Sequence, residues 1–342
     1  MATIRIVGAG VVGTATGVGL AAHGHEVHFV DVRTERLAEL AEQGYPVCTP
    51  AQLRLGADDI VFVTVTALTG ADGIDLTHLE SATESIGLAI GEEDPAQSHP
   101  VIVYRCTMPP GTMRDRLIPL LESASGRAVG TGFGVVYNPE YLRAESAGRD
   151  FLEPRLVTLA TLEPGDRAHQ ALTLLMAPFG GPLRWLPLEA AEFQKYVNNV
   201  GNAIKVSTYN WFRLYGERAG IEPHDIESAF RASLLSAENL WNPVYGTRDF
   251  GAYGGACLPK DTRALIEHAA ALGLDTALLQ ATEEINALVD HGTQDLAAPD
   301  RAASAATAKA GPTRAESNVL SFGTRAGREV IDLDQASRTS NA

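Results

Sequence analysis

The chain has 342 residues, which is long enough for two domains that each bury a core. Hydrophobic residues make up 45% and charged residues 20%, the ordinary balance of a soluble globular protein. The net charge of −15 argues against nucleic acid as a partner, because neutralising phosphates needs a basic surface. The 3 cysteines are far apart, which argues against a disulfide framework and favours a reducing compartment.

The N-terminus runs directly into a strand-like segment, without the charged and apolar stretches of a secretory signal. No apolar run reaches the length that a transmembrane helix needs. These features predict a cytoplasmic protein that does not associate with a membrane.

The first half of the chain alternates short apolar strands with amphipathic helices, a pattern typical of a parallel α/β sheet. Strands are predicted at residues 4–7, 27–30, 60–65, 101–104, 135–137, 156–159 and 183–186. Helices are predicted at residues 11–23, 36–43, 79–90, 113–123 and 165–176.

From about residue 189 the pattern becomes almost entirely helical. A helix over residues 189–218 carries apolar residues at helical spacing throughout and contains no proline. That length exceeds a typical globular helix and indicates a connector that also packs against a partner. Further helices are predicted at residues 225–235, 262–272 and 276–289.

These patterns divide the chain into three parts. Residues 1–188 are predicted to form a Rossmann-type α/β domain. Residues 189–290 are predicted to form a mostly α-helical central domain that starts with the long connecting helix. Residues 291–342 are rich in Ala, Ser, Thr and charged residues and poor in aromatic ones, which predicts a disordered tail.

A glycine-rich turn follows the first predicted strand and opens the first helix. Gly8 permits the tight turn, Gly10 lets the backbone approach a pyrophosphate, and Gly13 lets helix and strand pack closely. Asp31 ends the next strand, where the carboxylate of a dinucleotide-binding unit accepts a ribose hydroxyl. This carboxylate favours NAD, because it would repel the extra phosphate of NADP. Arg33 is the one feature that points the other way.

A candidate nucleophile lies in the second half of the chain. Cys257 follows a glycine pair that starts at Gly254, and Lys260 and Asp261 come shortly after it. A thiol in that setting can be reactive and accessible to a substrate. Taken alone, a free cysteine is more often an inert core residue.

Two further pairs of polar residues have spacings that suit a catalytic site. Lys195 and Asn199 are four positions apart on the long helix, so they share one face and can stabilise an oxyanion together. A solvated helix face is the ordinary interpretation of such a pair. Thr107 and Glu140 follow the carboxyl ends of predicted strands, where open α/β sheets bind ligands.

Taken together and in order, these segments resemble the UDP-glucose/GDP-mannose dehydrogenase family. The resemblance extends from the N-terminus to about residue 290. The matching motifs are the glycine turn, DGIDL at residues 72–76, TMPPGT at 107–112, NPEYLR at 138–143, KYVNN at 195–199 and GGACLPKDTRAL at 254–265.

The resemblance implies a cofactor, a substrate class and an oligomeric state. The cofactor is NAD, the substrate is a nucleotide sugar or a related phosphorylated sugar or nucleoside, and the protein is a homodimer without a metal. The implied cofactor-binding residues are Gly8, Gly10, Val11, Val12, Gly13, Asp31, Thr66 and Thr107. The implied substrate-binding residues are Glu140, Tyr141, Leu142, Lys195, Asn199, Gly254 and Cys257.

The resemblance also implies a four-electron oxidation of a primary alcohol to a carboxylate. Cys257 would capture the intermediate aldehyde as a thiohemiacetal, and a second oxidation would leave a thioester. Lys195 and Asn199 would stabilise the oxyanions. The remaining implied catalytic residues are Asp261, which supports proton transfer through water, Glu140, which assists thioester hydrolysis, and Thr107, which holds the water.

The chain departs from the family pattern in two places. A second glutamate usually lies four residues after the first, but Ala144 occupies that position here and Glu145 follows it. A shift of one position along a helix rotates the side chain by about 100° around the helix axis, so Glu145 is not expected to replace the missing carboxylate. The family's third, C-terminal α/β domain also has no counterpart after about residue 290.

Two alternatives remain open at this point. The first is a two-electron dehydrogenase of the 6-phosphogluconate and β-hydroxyacid type, in which Lys195 is the central catalytic group. The second is a non-catalytic protein that binds NAD, which rests only on the missing third domain.

Overall fold

The computed structural model of the chain describes residues 1–70, 73–233, 235, 252–253 and 258–290. The chain separates into two units, Met1–Asn242 and Pro243–Ala342. The predicted tail, residues 291–342, lies outside the described residues. The domain boundaries predicted at residues 188 and 290 stay predictions.

The strands of the first unit form an eight-stranded sheet and a small antiparallel hairpin. Across the sheet the order is β10-β9-β8-β7-β4-β1-β2-β3, and the hairpin pairs β5 with β6. The strands are β1 Thr3–Val7, β2 Glu26–Val30, β3 Val47–Cys48, β4 Ile60–Val63, β5 Leu68–Gly70, β6 Gly73–Asp75, β7 Val101–Tyr104, β8 Gly134–Tyr137, β9 Val157–Ala160 and β10 Leu183–Leu186.

The helices differ from the predicted ones mainly at their ends. The structure adds a short helix, α5, that the sequence pattern did not predict, and a π-helical turn at Met113–Leu117 precedes α4. The helices are α1 Val11–Ala22, α2 Thr34–Glu42, α3 Thr77–Gly91, α4 Ile118–Ser125, α5 Ala147–Leu152, α6 Arg167–Met176, α7 Leu188–Arg218 and α8 Pro223–Ser233 in the first unit, and α9 Leu258–Ala271 and α10 Ala277–Asp290 in the second.

Six of the eight sheet strands are parallel, and β9 and β10 run in the opposite direction. The prediction of a parallel sheet is therefore wrong for the last two strands. Between β8 and β9 the only α-helix is α5, and the Phe151 ring on α5 lies so close to Gly19 of α1 that a Cβ there would come within 2.2 Å of it. Helix α5 therefore packs on α1. Strand β9 pairs with β8 in the antiparallel direction.

Apolar side chains cover both faces of the sheet. Ile4 and Ile6 of β1 belong to one buried cluster, and Val7 belongs to the other. Strands β4, β7, β8 and β9 are buried along their whole length, as strands between two helical layers are. The two cores hold the carboxyl ends of β1, β4, β7 and β8 at one edge of the sheet.

The chain enters the sheet at β1, continues through β2 to one edge, and then returns to β4 on the other side of β1. The crevice between the carboxyl ends of β1 and β4 is therefore the switch point of the sheet, where open α/β proteins bind their ligands.

Helix α7 confirms the predicted long helix, with 31 residues.

Candidate active site

The glycine turn between β1 and α1 leaves too little room for a side chain at Gly8 and Gly13, but not at Gly10. Gly8 has a φ of +98°, in the left-handed region that favours glycine. A Cβ on Gly13 would lie 1.9 Å from the Gly8 carbonyl oxygen. A Cβ on Gly10, by contrast, would have nothing within 4 Å, because Gly10 faces open space at the N-terminus of α1. The geometry agrees with the predicted turn at Gly8 and the close packing at Gly13, and the role of Gly10 at a pyrophosphate stays a prediction.

The carboxylate that follows β2 is held in place by the same turn. Asp31 is buried, and its Oδ2 accepts a hydrogen bond from the Ala9 backbone N–H at 2.7 Å. Burial opposes its ionisation, but hydrogen bonds from the Arg33 side chain, the Arg33 backbone and Ala9 outweigh burial and lower the pKa of Asp31. The group is therefore an anionic acceptor beside the turn.

A cleft of about 1060 Å³ opens in front of the glycine turn. It is lined by the turn and α1, by the start of α2, and by the segment from Glu145 to Arg149. The cleft, the backbone N–H groups at the start of α1 and the Asp31 carboxylate suit a dinucleotide, because its pyrophosphate is anionic and its ribose donates hydrogen bonds. Glu145 thus borders this cleft.

The other predicted cofactor residues follow the carboxyl ends of β1, β4 and β7. Val11, at the start of α1, is 59% exposed, and Val12 is half-buried. Thr66 is exposed in the segment that follows β4. Thr107 is half-buried in the loop after β7. All four positions are at the carboxyl edge of the sheet.

A buried ion pair joins α7 to the loop after β8. Lys195 is 2% exposed, and its Nζ lies 3.0 Å from Glu140 Oε1. Lys195 Nζ also donates to the Glu140 backbone carbonyl, and Glu140 Oε2 accepts from the Leu142 backbone N–H at 2.7 Å. Each carboxylate oxygen therefore accepts one hydrogen bond, and the charge of each partner is compensated by the other.

Tyr141 strengthens the connection between this loop and α7. Its hydroxyl is hydrogen-bonded to the Thr158 hydroxyl at 3.0 Å and to the side-chain oxygen of Gln194. Its ring centroid lies 5.4 Å from Lys195 Nζ, within the range of a cation–π contact. Burial raises the pKa of the Tyr141 hydroxyl, so that it remains protonated at neutral pH.

A second cavity, of about 330 Å³, lies beside the ion pair. Glu140, Tyr141 and Leu142 line it on one side, and Asn198 and Asn202 of α7 line it on another. Asn199 is exposed, and its amide oxygen accepts from Asn198 Nδ2 at 3.0 Å. The structure thus brings Lys195 together with Glu140, whereas the contact that it records for Asn199 is with Asn198.

Two buried charged residues complete this site and were missed by sequence reasoning. The Arg105 guanidinium, at the end of β7, donates to Asn138 Oδ1, and burial lowers its pKa to about 10. Glu192, fully buried on α7, accepts from the backbone N–H groups of Gly111 at 2.5 Å and Met113 at 2.8 Å. Its spacing of three from Lys195 was the available signal, since such residues share a helix face.

Three of the predicted residues belong to the second unit. Cys257 and Gly254 lie outside the described residues. Asp261 falls within α9, but nothing is described of its side chain.

Neither a metal centre nor a membrane span is found within the part of the chain that the structure covers. No helix among those residues is long and apolar enough to cross a membrane. In the same ranges, no three His, Cys, Asp or Glu side chains are grouped so that they could hold a metal ion.

A glycine turn that opens on a cleft after β1, and a buried lysine that pairs with the loop after β8 of the same sheet, are typical of an NAD-dependent oxidoreductase. Family models narrow the class. The model of the UDP-glucose/GDP-mannose dehydrogenase family, NAD binding domain, matches residues 2–55 and 49–172, and that of the central domain matches residues 189–288. The chain belongs to this family, whose members oxidise CH–OH groups.

Individual relatives agree with this assignment. The chain is 30% identical to GDP-mannose 6-dehydrogenase of Pseudomonas putida, over 83% of its own length and 67% of the relative's. It is 31% identical to UDP-glucose 6-dehydrogenase of Haloferax volcanii, over 83% and 69%. The solved ternary complex of GDP-mannose dehydrogenase from Pseudomonas aeruginosa superimposes with a TM-score of 0.77 at 28% identity, over 84% of this chain and 69% of the other.

Proposed function

We propose that this protein oxidises the primary alcohol of a nucleotide-linked sugar to a carboxylate, with Cys257 as covalent nucleophile. The observation that carries the proposal is the buried Lys195–Glu140 pair at the carboxyl edge of the sheet that also holds the glycine cleft. The names of the relatives, GDP-mannose and UDP-glucose 6-dehydrogenases, support the substrate class. The 28% identity to a GDP-mannose dehydrogenase of similar fold supports the same class.

The glycine cleft would hold NAD, which would supply the hydride acceptor for each of two oxidations. In the first, the alcohol loses a hydride and a proton and becomes an aldehyde. The Cys257 thiolate then adds to the aldehyde carbon, and the oxygen takes up a proton to give a thiohemiacetal. Loss of a second hydride and of that proton converts the thiohemiacetal into a thioester. Water cleaves the thioester, which releases the carboxylate and restores the thiol. The covalent bond keeps the reactive aldehyde from escaping while the cofactor is exchanged.

The lysine supplies positive charge where negative charge develops on the substrate oxygen. Lys195 Nζ is held by Glu140 through both the side chain and the backbone carbonyl, so its position is fixed before substrate arrives. A preorganised cation of this kind stabilises an oxyanion without having to reorient. Asn199, one helical turn further on α7, would share this role, and Asp261 would accept a proton through water.

Glu140 and Thr107 serve the hydrolytic half of the reaction. Glu140 borders the second cavity and is 17% exposed, so that a water molecule can reach its carboxylate. Thr107 lies on the neighbouring loop, after β7, and would hold that water. Tyr141 and Leu142 line the same cavity and would contact the sugar.

The decisive experiment counts the electrons that leave each substrate molecule. The purified protein is incubated with limiting UDP-glucose or GDP-mannose, with sugar phosphates and nucleoside monophosphates as further probes. NADH is measured by absorbance and the product by mass. We expect two NADH per substrate and a carboxylate product. One NADH with an aldehyde product would replace the proposal by a two-electron dehydrogenase, and NADH binding without any turnover would leave a non-catalytic protein.

Replacing the thiol tests the covalent step separately. Cys257→Ala is expected to stop the second oxidation, so that NADH formation stalls at or below one equivalent. Cys48→Ala is the matched control, because Cys48 is a free, half-buried thiol that has no place in the reaction. Two equivalents from Cys257→Ala would exclude a covalent role for this residue.

We also propose a cytoplasmic homodimer. A stripe on α7 supports the dimer, since Phe193, Val197, Val200 and Ile204 are each 49–60% exposed and recur at helical spacing. Two free cysteines in the first unit, Cys48 and Cys106, fit a reducing compartment. Light scattering of the purified chain measures the mass directly, and a monomer at micromolar concentration would rule out the dimer.

A further inference from the structure

Arg33 covers the carboxylate that selects the cofactor. Its Nε lies 3.1 Å from Asp31 Oδ1 and its Nη2 lies 3.1 Å from Asp31 Oδ2, so the guanidinium binds side-on with both oxygens. The Arg33 backbone N–H adds a third hydrogen bond, at 2.9 Å, to Oδ1. The side chain is nevertheless 56% exposed and borders the glycine cleft.

These contacts leave Asp31 without a free place for a ribose hydroxyl. Oδ1 accepts from the Arg33 backbone and Nε, and Oδ2 accepts from Ala9 and Arg33 Nη2. The two backbone donors are fixed by the chain. A ribose hydroxyl that donates to this carboxylate must therefore displace the Arg33 guanidinium, which sits at the exposed end of a flexible side chain.

The same arrangement changes the expected affinity of the cleft for a phosphate on the 2′ position of that ribose. A bare carboxylate at this position repels a 2′-phosphate. Here a guanidinium compensates the carboxylate charge, and the side-on pair occupies only two of its five N–H donors. The remaining donors suit phosphate oxygens, which guanidinium groups bind in a planar, bidentate manner.

A second guanidinium borders the cleft one helical turn further on. Arg36 donates from Nε to the Ala9 carbonyl at 3.0 Å and from Nη2 to the Thr14 hydroxyl at 2.7 Å. Arg36 is thereby anchored over the glycine turn, and its Nη1 also pairs with Glu39 in the lining of the same cleft.

We propose that Arg33 is a specificity-determining residue which lets this cleft bind NADP(H) as well as NAD(H). In the NADP(H) complex the Arg33 guanidinium stays on Asp31 and donates its remaining N–H groups to the 2′-phosphate. In the NAD(H) complex it gives way to the ribose hydroxyl. The inference rests on the role of the glycine cleft as the cofactor site.

Direct binding tests this inference without turnover. Isothermal titration of the full chain compares NADH with NADPH, and AMP with adenosine 2′,5′-bisphosphate, at one ionic strength. We expect NADPH to bind within about tenfold of NADH. Arg33→Ala should weaken NADPH and the bisphosphate by about 10- to 100-fold, the range of charge-assisted hydrogen bonds, and should not weaken NADH.

Two variants control for charge and geometry. Arg33→Lys retains the charge but not the planar fork, and should recover part of the NADPH affinity. Arg54→Ala removes an exposed arginine that pairs with Glu92 at 3.3 Å outside the cleft, and should leave both affinities unchanged. Circular-dichroism melting verifies that each variant folds.

Several results would overturn the inference. If NADH binds and NADPH binds more than about 1000-fold less tightly, the cleft is specific for NAD and the cofactor site itself stands. Equal NADPH affinity in the wild type and in Arg33→Ala would remove Arg33 from cofactor selection. If neither dinucleotide binds, the assignment of the glycine cleft fails, and the inference fails with it.

Discussion

The glycine cleft and the Lys195–Glu140 pair lie at the same edge of one sheet, but they are built in different ways. The glycine turn that borders the cleft is formed by backbone within a short stretch of chain. The Asp31 carboxylate, which accepts a hydrogen bond from the Ala9 N–H, is 22 positions away. The ion pair joins side chains 55 positions apart on two different elements. The first site depends on the absence of side chains, and the second depends on the burial of two charged ones.

This difference determines which kind of substitution impairs each site. The glycine turn is damaged by added atoms at Gly8 and Gly13, because a Cβ would come within 3.0 Å and 1.9 Å of backbone atoms there. The ion pair is damaged by removed atoms, because a lone buried charge has lost its compensation. Mutations at the two sites should therefore separate cofactor binding from catalysis and stability.

The largest expected effect comes from the ion pair. Lys195→Ala leaves the Glu140 carboxylate, only 17% exposed, without its cation. We expect the free energy of unfolding to fall by about 3–5 kcal/mol and turnover to fall by at least about 100-fold. Urea unfolding and NADH formation measure the two effects.

Lys205→Ala is the matched control, because Lys205 is an exposed lysine on the same helix. Its free energy of unfolding should stay within about 0.5 kcal/mol of the wild type. Equal effects of the two substitutions would show that the buried Lys195 contributes no more to the free energy of unfolding than an exposed lysine does. The contrast between the two sites would then disappear.

An intermediate effect is expected in the cleft, where two glycines can be compared directly. Gly13→Ala places a Cβ 1.9 Å from the Gly8 carbonyl oxygen, so the turn must shift, and we expect a loss of about 1–3 kcal/mol in unfolding free energy. Gly10→Ala meets nothing within 4 Å. It should leave stability nearly unchanged but weaken NADH by at least about tenfold, because the methyl group occupies space that the pyrophosphate needs.

Thermal melting and NADH titration distinguish these two glycines. The outcome that contradicts the comparison is a stable Gly13→Ala protein that binds NADH normally. A Gly10→Ala protein with unchanged NADH affinity would place the cofactor elsewhere.

The smallest expected effect is a change in how the free energy of unfolding depends on pH. Burial raises the pKa of Glu192 above its ordinary value of 4.5, against the opposing hydrogen bonds from Met113 and Gly111. The folded state therefore binds more protons than the unfolded one between the two pKa values, and stability falls as the pH rises through that window. Glu192→Gln should remove this decline.

Glu189→Gln provides the opposite sign on the same helix. A hydrogen bond from Arg114 lowers the pKa of Glu189, so its contribution is present above pH 4.5 and is lost as the pH falls below that value. Denaturant unfolding at a series of pH values measures both slopes. If the free energy of unfolding depended on pH in the same way in both variants, the pKa of Glu192 would not be raised in the folded state.

Much of the fold follows from patterns that can be recognised along the chain. The apolar strands β7 and β10 begin and end where the sequence predicted, and α7 differs from its prediction by one residue. The β5–β6 hairpin escaped prediction because its strands have three residues each. The reversal of β9 and β10 was also missed, because periodicity carries no information on strand direction.

The candidate site was predicted less completely. Lys195 and Glu140 were each singled out, but Lys195 was paired with Asn199, its neighbour on the helix face, because helical spacing reveals only local pairs. The contact with Glu140 depends on how α7 packs on the loop after β8. Glu192 and Arg105 were missed for the same reason, since their partners lie on other elements. Cys257 stays a prediction.

The sequence by itself determined the glycine turn, because the order of Gly8, Gly10 and Gly13 between a strand and a helix already specifies it. The class of enzyme followed from the same local motifs. Only the tertiary structure decided which charges meet in the interior, as Lys195 and Glu140 do. Coulombic partners are chosen by distance and burial, and both arise only when the elements have packed.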